Sequence, residues 1–198
     1  MTTTEEKWEK LLQIKTDGRD DTIADEYHYP YEPTPYSVLE RLADSGYIRK
    51  GDRVLDYGCG KGRVDFFLAH TTGAETVGIE YDERIYKSAL LNKSTARDGA
   101  NTEFILSRAE EYEVPHNITG CYFFNPFSTE ILHGVMAKIT QSYYEAPRRI
   151  YLFFYYPSDE YVSYLMTSDT LEFVEEIPCN DLFSAKDTRE RILIFCLT

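Results

Sequence analysis

"VLDYGCGKGRV", residues 54–64, sets one acid at the end of an apolar run and then spends three of five residues on glycine. Glycines between a strand and a helix let a ligand come close to the main chain, because no Cβ stands in the way. The helix start that follows offers unpaired N–H groups and positive potential, a seat for a phosphate or a carboxylate. Spacing separates the nucleotide-binding readings. A P-loop requires G-x-x-x-x-G-K-[ST], whereas Lys61 lies between Gly60 and Gly62 with no hydroxyl after it. The dinucleotide fingerprint G-x-G-x-x-G requires glycine at 63, where Arg63 stands. What remains is G-x-G-x-G two residues after Asp56, or a tight turn that holds nothing. Glu80 weighs against the empty turn, because it ends the next apolar run, "ETVGIE". An acid there can accept hydrogen bonds from both hydroxyls of a ribose.

Outward from this stretch the pattern is regular. Trp8, Leu11 and Leu12 recur at helical spacing over 4–15, and "TDGRDD" ends that run. "YHYPYEPTP" (27–35) is too proline-rich for a helix interior; Thr34 then reads as an N-cap, with Pro35 opening a helix that Gly46 closes. From Asp52 onward strand and helix patterns alternate through "RVLDYG", "ETVGIE", "TEFILS", "CYFFN" and "RRIYLFFYY". Alternation of this kind implies right-handed crossovers and a mostly parallel sheet covered on both faces. "TLEFVEEI" and "ERILIFCL" have no room for a crossover helix between them, so they pair antiparallel or one inserts beside an earlier strand. The expected class is α/β, a Rossmann-like three-layer sandwich. Residues 1–198 are expected to form one domain, with 1–50 as N-terminal helices and lid and 51–198 as core.

Composition limits the function classes. The net charge of the 198-residue chain is −13, which argues against nucleic acid as a partner, since such binders neutralise phosphates with Lys and Arg. No apolar run approaches the roughly 20 residues of a membrane span, and "MTTTEEKWEK" has no apolar signal core, so a cytoplasmic location is expected. Cys59, Cys121, Cys179 and Cys196 are widely spaced and read as structural thiols, with no metal site. Seventeen tyrosines suggest aromatic-lined pockets or an aromatic core.

"VLDYGCGKG" followed by "VGIEYD" resembles motifs I and II of the class I S-adenosylmethionine-dependent methyltransferases. The resemblance implies a seven-stranded sheet with an antiparallel strand inserted near one edge. It implies that Asp56, Tyr57, Gly58, Cys59, Gly60, Gly62 and Arg63 hold the methionyl part of the cofactor. Glu80 would take the ribose and Tyr81 would pack on adenine. In "LSRAEEY" (106–112), Arg108 stands where relatives have an acid, Ala109 keeps the alanine, and Glu110 or backbone groups would reach the adenine amine.

"FFNPFS" (123–128) resembles the N-P-P-[YF] motif of amine-directed methyltransferases, shortened to Asn125-Pro126-Phe127. An Asn carbonyl can hold the N–H groups of an acceptor and so aim its lone pair at a methyl carbon. Phe127 can face a cation. "YEPTPY" (31–36) resembles a segment that folds over the cofactor in some protein-lysine methyltransferases, which makes Tyr31, Thr34 and Tyr36 candidate contacts. "YYPSDEY" (155–161) is a further pocket wall or a surface loop. His28, His70, His116 and His133 are scattered, none at metal or general-base spacing from a carboxylate, and His28 near the lid is the candidate base. The leading expectation is methyl transfer from S-adenosylmethionine to a small amine or a protein side chain. A non-catalytic cofactor-binding or partner-binding module and a nicotinamide-dependent oxidoreductase are the alternatives.

Overall fold

The computed structural model describes residues 3–19, 31–185 and 187–197. Helix α1 (Thr4–Leu12) opens with a capping box, in which Thr3 and Glu6 satisfy each other's main-chain N–H groups. Helix α2 (Tyr36–Asp44) follows the lid segment. The core then runs β1 (Arg53–Tyr57), α3 (Arg63–Thr72), β2 (Glu75–Glu80), α4 (Glu83–Thr95), β3 (Thr102–Leu106), β4 (Gly120–Phe123) and α5 (Thr129–Glu145). It ends with β5 (Tyr151–Tyr155), α6 (Asp159–Met166), β6 (Leu171–Pro178) and β7 (Arg191–Leu197).

The strands form one sheet in the order β3-β2-β1-β4-β5-β7-β6. The first five strands pair in parallel, and β7 runs antiparallel to both β5 and β6. Both readings of the closing strands therefore hold together: β6 and β7 pair antiparallel, and β7 inserts beside β5. Strand order reverses between β1 and β4, the switch point where open α/β sheets bind ligands.

The central strands β1, β2, β4 and β5 are buried on both faces, which accounts for strands such as "YLFFY" that are apolar throughout. Val54, Phe104, Tyr122 and Phe153 pack under α1–α3, whereas Leu55, Tyr57, Phe123 and Phe154 pack under α5 and α6. The period-2 alternation of β1 thus sends Asp56 and Tyr57 to opposite faces. Among the described residues no helix is long and apolar enough to cross a membrane.

One local expectation is corrected. Thr34 does not cap α2; Pro35 occupies the N-cap position, and the Thr34 hydroxyl is paired with the Tyr122 hydroxyl at 3.0 Å. Gly46 does follow the end of α2 in the left-handed conformation, at φ +74°. His28 and the lid segment before Tyr31 lie outside the described residues.

Candidate active site

The crevice lies at the C-terminal ends of β1, β2 and β4, and the glycine loop forms its floor. Gly58 and Cys59 both donate main-chain N–H groups to the Ile79 carbonyl, at 2.9 and 3.0 Å, tying the loop to β2. Gly58, Gly60 and Gly62 all have positive φ. A Cβ on Gly60 would come within 2.1 Å of the Tyr31 ring, and one on Gly58 within 2.7 Å of Pro126. Bare backbone is therefore needed to seat the lid on one side and the post-β4 turn on the other.

Glu80 is the electrostatic anchor. Its Oε2 accepts from the Gly60 N–H at 3.0 Å, and its Oε1 accepts from Tyr81 and Asp82 N–H groups at 2.9 Å each. Burial raises its pKa above the ordinary carboxylate value, while these three N–H donors pull the other way. Asp56, 4% exposed, is pushed up to about 7, chiefly by burial. The charge on Glu80 adds to that rise, and the neighbouring Asp65 carboxyl opposes it.

Tyr31, Thr34, Asp56, Gly58, Cys59 and Arg63 border the crevice. So do Glu80, Tyr81, Ala109 and Glu110, with Asn125, Pro126 and Phe127 on the far wall. Tyr57, Gly60, Gly62, Arg108 and Tyr36 do not border it. Tyr57 turns to the α5 face and stacks on Phe123, with ring centroids 5.0 Å apart. Tyr36 is fully buried, donates to Glu9 Oε1 at 2.9 Å and stacks on Trp8. Gly60 and Gly62 shape the loop, Gly62 as the left-handed N-cap of α3 at φ +86°. The Arg108 guanidinium projects to solvent and pairs with Glu110 at 3.0 Å.

Arg63 borders the crevice, but its guanidinium is committed elsewhere. It bonds Glu5, Glu9 (3.4 Å), Asp17 (2.7 Å), the Thr16 hydroxyl (2.7 Å) and the Thr34 carbonyl (3.2 Å). The assignment of its side chain to a cofactor gives way to that of a clasp for the N-terminal segment.

Three residues absent from the sequence reading belong here. Tyr122 borders the crevice beside Thr34. Phe124 lines it and packs on Tyr155 at 4.7 Å, so Tyr155 backs the wall while residues 155–161 stay out of the lining. Asp65 lies fully buried behind Asp56. Its signal was available: one acid inside the apolar run "VDFF".

The histidine reading is also corrected. His70 Nδ1 lies 2.6 Å from Asp98, and His116 Nε2 lies 3.0 Å from Glu145. The partners are 28 and 29 residues apart in sequence, so spacing did not reveal them. Neither pair borders the crevice. All four cysteines are free, and burial holds the Cys59 thiol well above its ordinary pKa, leaving it un-ionised.

Buried acceptors identify what the crevice can take. Asn125 Oδ1 and Glu110 Oε2 are buried and accept no hydrogen bond among the described residues. Asn125 also holds φ at +41°, a left-handed conformation that turns the chain sharply after β4. An occupant with N–H groups at both positions would satisfy these acceptors. Residues 48–141 match a family described as "Methyltransferase domain". Over 66 residues the chain is 35% identical to a protein-lysine N-methyltransferase of Saccharolobus islandicus, covering 33% of this chain and 41% of that protein. The match thus spans about two fifths of that relative's length.

An RNA methyltransferase from Salinibacter ruber, crystallised with S-adenosyl-L-homocysteine, shares the fold at TM-score 0.51 and 21% identity, over 84% of this chain and 93% of that one. Magnesium protoporphyrin IX methyltransferase from Synechocystis PCC 6803, with bound SAM, does so at TM-score 0.58 and 18% identity, over 82% and 77% of the chains. Since this fold also serves an RNA methyltransferase, the argument from net charge against nucleic acid finds no support here. Family match, glycine loop, strand-end acid and sheet order agree, and the chain has the Rossmann-like fold shared by these S-adenosylmethionine-dependent methyltransferases.

Proposed function

We propose that the protein transfers the methyl group of S-adenosylmethionine to a nitrogen acceptor, with a lysine side chain of a protein the favoured substrate. The observation that carries the reading is Asn125, a residue that borders the crevice and whose buried carbonyl oxygen has no partner among the described residues. In this reading residues 1–198 act as one methyltransferase domain. Asp56 and the loop around Gly58 take the methionyl end, Glu80 the ribose hydroxyls, Tyr81 a face of the adenine, and Glu110 its amine. The cofactor supplies an electrophilic methyl carbon on a positive sulfur.

The protein's part is positioning. Asn125 Oδ1 accepts an acceptor N–H, leaving the nitrogen lone pair to point in line at the methyl carbon. Bound there, the cofactor would give its methyl carbon to that lone pair and keep the C–S electron pair on sulfur, and the acceptor nitrogen would shed one proton to solvent. Only the neutral amine has that lone pair, so an aromatic wall of Phe124 and Phe127 that disfavours full hydration of an ammonium assists the step. The lysine preference rests on the partial match to the lysine-directed relative. An intact Asn125 favours catalysis over a non-catalytic module.

The test is transfer of radiolabelled methyl to three acceptors offered separately: a lysine-rich protein, a panel of small amines, and structured RNA. Label in the protein, lost when its lysines are acetylated beforehand, is the expected outcome. Label confined to RNA would overturn the acceptor. Bound cofactor with no label in any arm would establish the non-catalytic alternative.

A further inference from the structure

Behind the crevice lies an acid that the proposed reaction does not use. Asp65 sits in the first turn of α3, fully buried, and does not border the crevice. Both its carboxyl oxygens, and Oδ2 of Asp56, have no hydrogen-bond partner among the described residues. The nearby Thr76 hydroxyl donates instead to the Asp65 main-chain carbonyl, at 3.4 Å. Each of the two carboxyl groups shifts the other's pKa directly, which places them side by side in the same buried spot. Two carboxyl groups so placed, with no donor to satisfy them, can bond to each other only through a proton that one of them carries.

Among the described residues no buried cation pairs with either carboxyl group. The groups facing Asp56 are Glu80 from β2, Tyr122 from β4, Cys59 from the loop and Asp65 from α3, all acidic or neutral. Of the crevice-wall cations, Arg63 is turned to Glu5, Glu9 and Asp17, and Arg84 pairs with Asp82. Like charges this close cannot both persist without water, so one proton stays in the pair.

We propose that Asp65 is a positioning residue for cofactor binding: it carries the shared proton and donates it to Asp56, which is thereby held as the anion that meets the cofactor's ammonium group. This rests on the reading of the crevice as an S-adenosylmethionine site. Asp56 borders the crevice and Asp65 does not, so the negative charge belongs on Asp56 and the proton on Asp65. When solution acidity protonates Asp56 as well, the pair becomes neutral and the ammonium loses its counter-ion. Binding under those conditions must release the proton of Asp56 to solvent. Burial raises both carboxyls, Asp56 to about 7 and Asp65 well above its ordinary value, which places this step near neutrality.

S-adenosyl-L-homocysteine, which carries the same ammonium without the sulfonium charge, is the probe. Its affinity for the wild-type protein, measured calorimetrically across pH, is expected to fall about tenfold per pH unit below about 7, with proton release at acid pH. Asp65→Ala removes the donor and should weaken binding more than about tenfold at pH 8. Asp65→Asn donates an amide N–H that cannot be lost, so it should rescue most of that affinity and move the fall to lower pH. Asp56→Asn should bind weakly at every pH, whatever Asp65 does to folding. An Asp65→Asn profile identical to the wild type, or Asp65→Ala binding as tightly as the wild type, would overturn the inference. A wild-type protein that binds no probe at any pH would remove the parent reading and this inference with it, which distinguishes the two failures.

Discussion

Arg63→Ala is expected to lower the unfolding free energy by about 3 kcal/mol and to undock α1 from the core. Arg63 is 3% exposed and bonded to three carboxylates. Its guanidinium also lies 4.4 Å from the centre of the Tyr36 ring. Removing one side of a buried ion network leaves the other charges uncompensated, at about 3–5 kcal/mol. The lower end applies here, because Glu5 and Asp17 are 38% and 63% exposed and rehydrate when released. Glu9 at 11% exposure keeps the Tyr36 hydroxyl and the Thr16 donors and carries the remaining penalty. Denaturant unfolding reads the loss, and cleavage near residues 12–19 by a protease reads the undocking. Lysine at 63 should rescue little, since a point charge cannot serve donors to Glu5, Glu9, Asp17 and Thr34 at once. A stability within about 0.5 kcal/mol of wild type would show that the clasp is ornamental.

Asn125→Ala is expected to reduce turnover by about 100-fold or more while cofactor affinity stays within a few-fold of wild type. The expectation follows from geometry: Asn125 Oδ1 is buried without a partner, at the turn that ends β4. Its φ of +41° complicates alanine, which loses about 1 kcal/mol in that conformation. Asn125→Gly removes the carbonyl without that backbone cost, so both variants should lose turnover while only alanine loses stability. Steady-state rates with the labelled cofactor, set beside its Kd, separate the effects. Normal turnover in Asn125→Gly would take Asn125 out of the mechanism.

Much of this architecture was legible because its chemistry is local. A strand that ends in an acid, a run of glycines and a helix start are written in consecutive residues, and so is the acid at the end of β2. The antiparallel closing pair followed from loop length alone. What escaped were relations across the fold. Arg63 follows the loop directly, yet its carboxylate partners lie 46 to 58 residues away on the N-terminal segment, a distance no spacing rule covers. The His70–Asp98 pair escaped for the same reason.

Two misplacements were avoidable. On a strand, neighbours face opposite ways, so an Asp56 that faces the crevice forces the Tyr57 side chain toward α5. Asp65 was equally visible as the single acid in a helix segment buried from Arg63 to Ala69. An unpaired charge costs too much to be placed there, and burial accordingly pushes the Asp65 carboxyl well above its ordinary pKa.

Titration of the wild-type protein with S-adenosyl-L-homocysteine at pH 8, alongside Glu80→Ala, bears most directly on the central claim. Saturable one-to-one binding is predicted for the wild type, with affinity weakened at least about 30-fold when the Glu80 carboxylate is gone. Equal binding by both proteins, or displacement of the probe by NADH, would contradict the claim that the glycine loop and Glu80 together grip an adenosyl ligand.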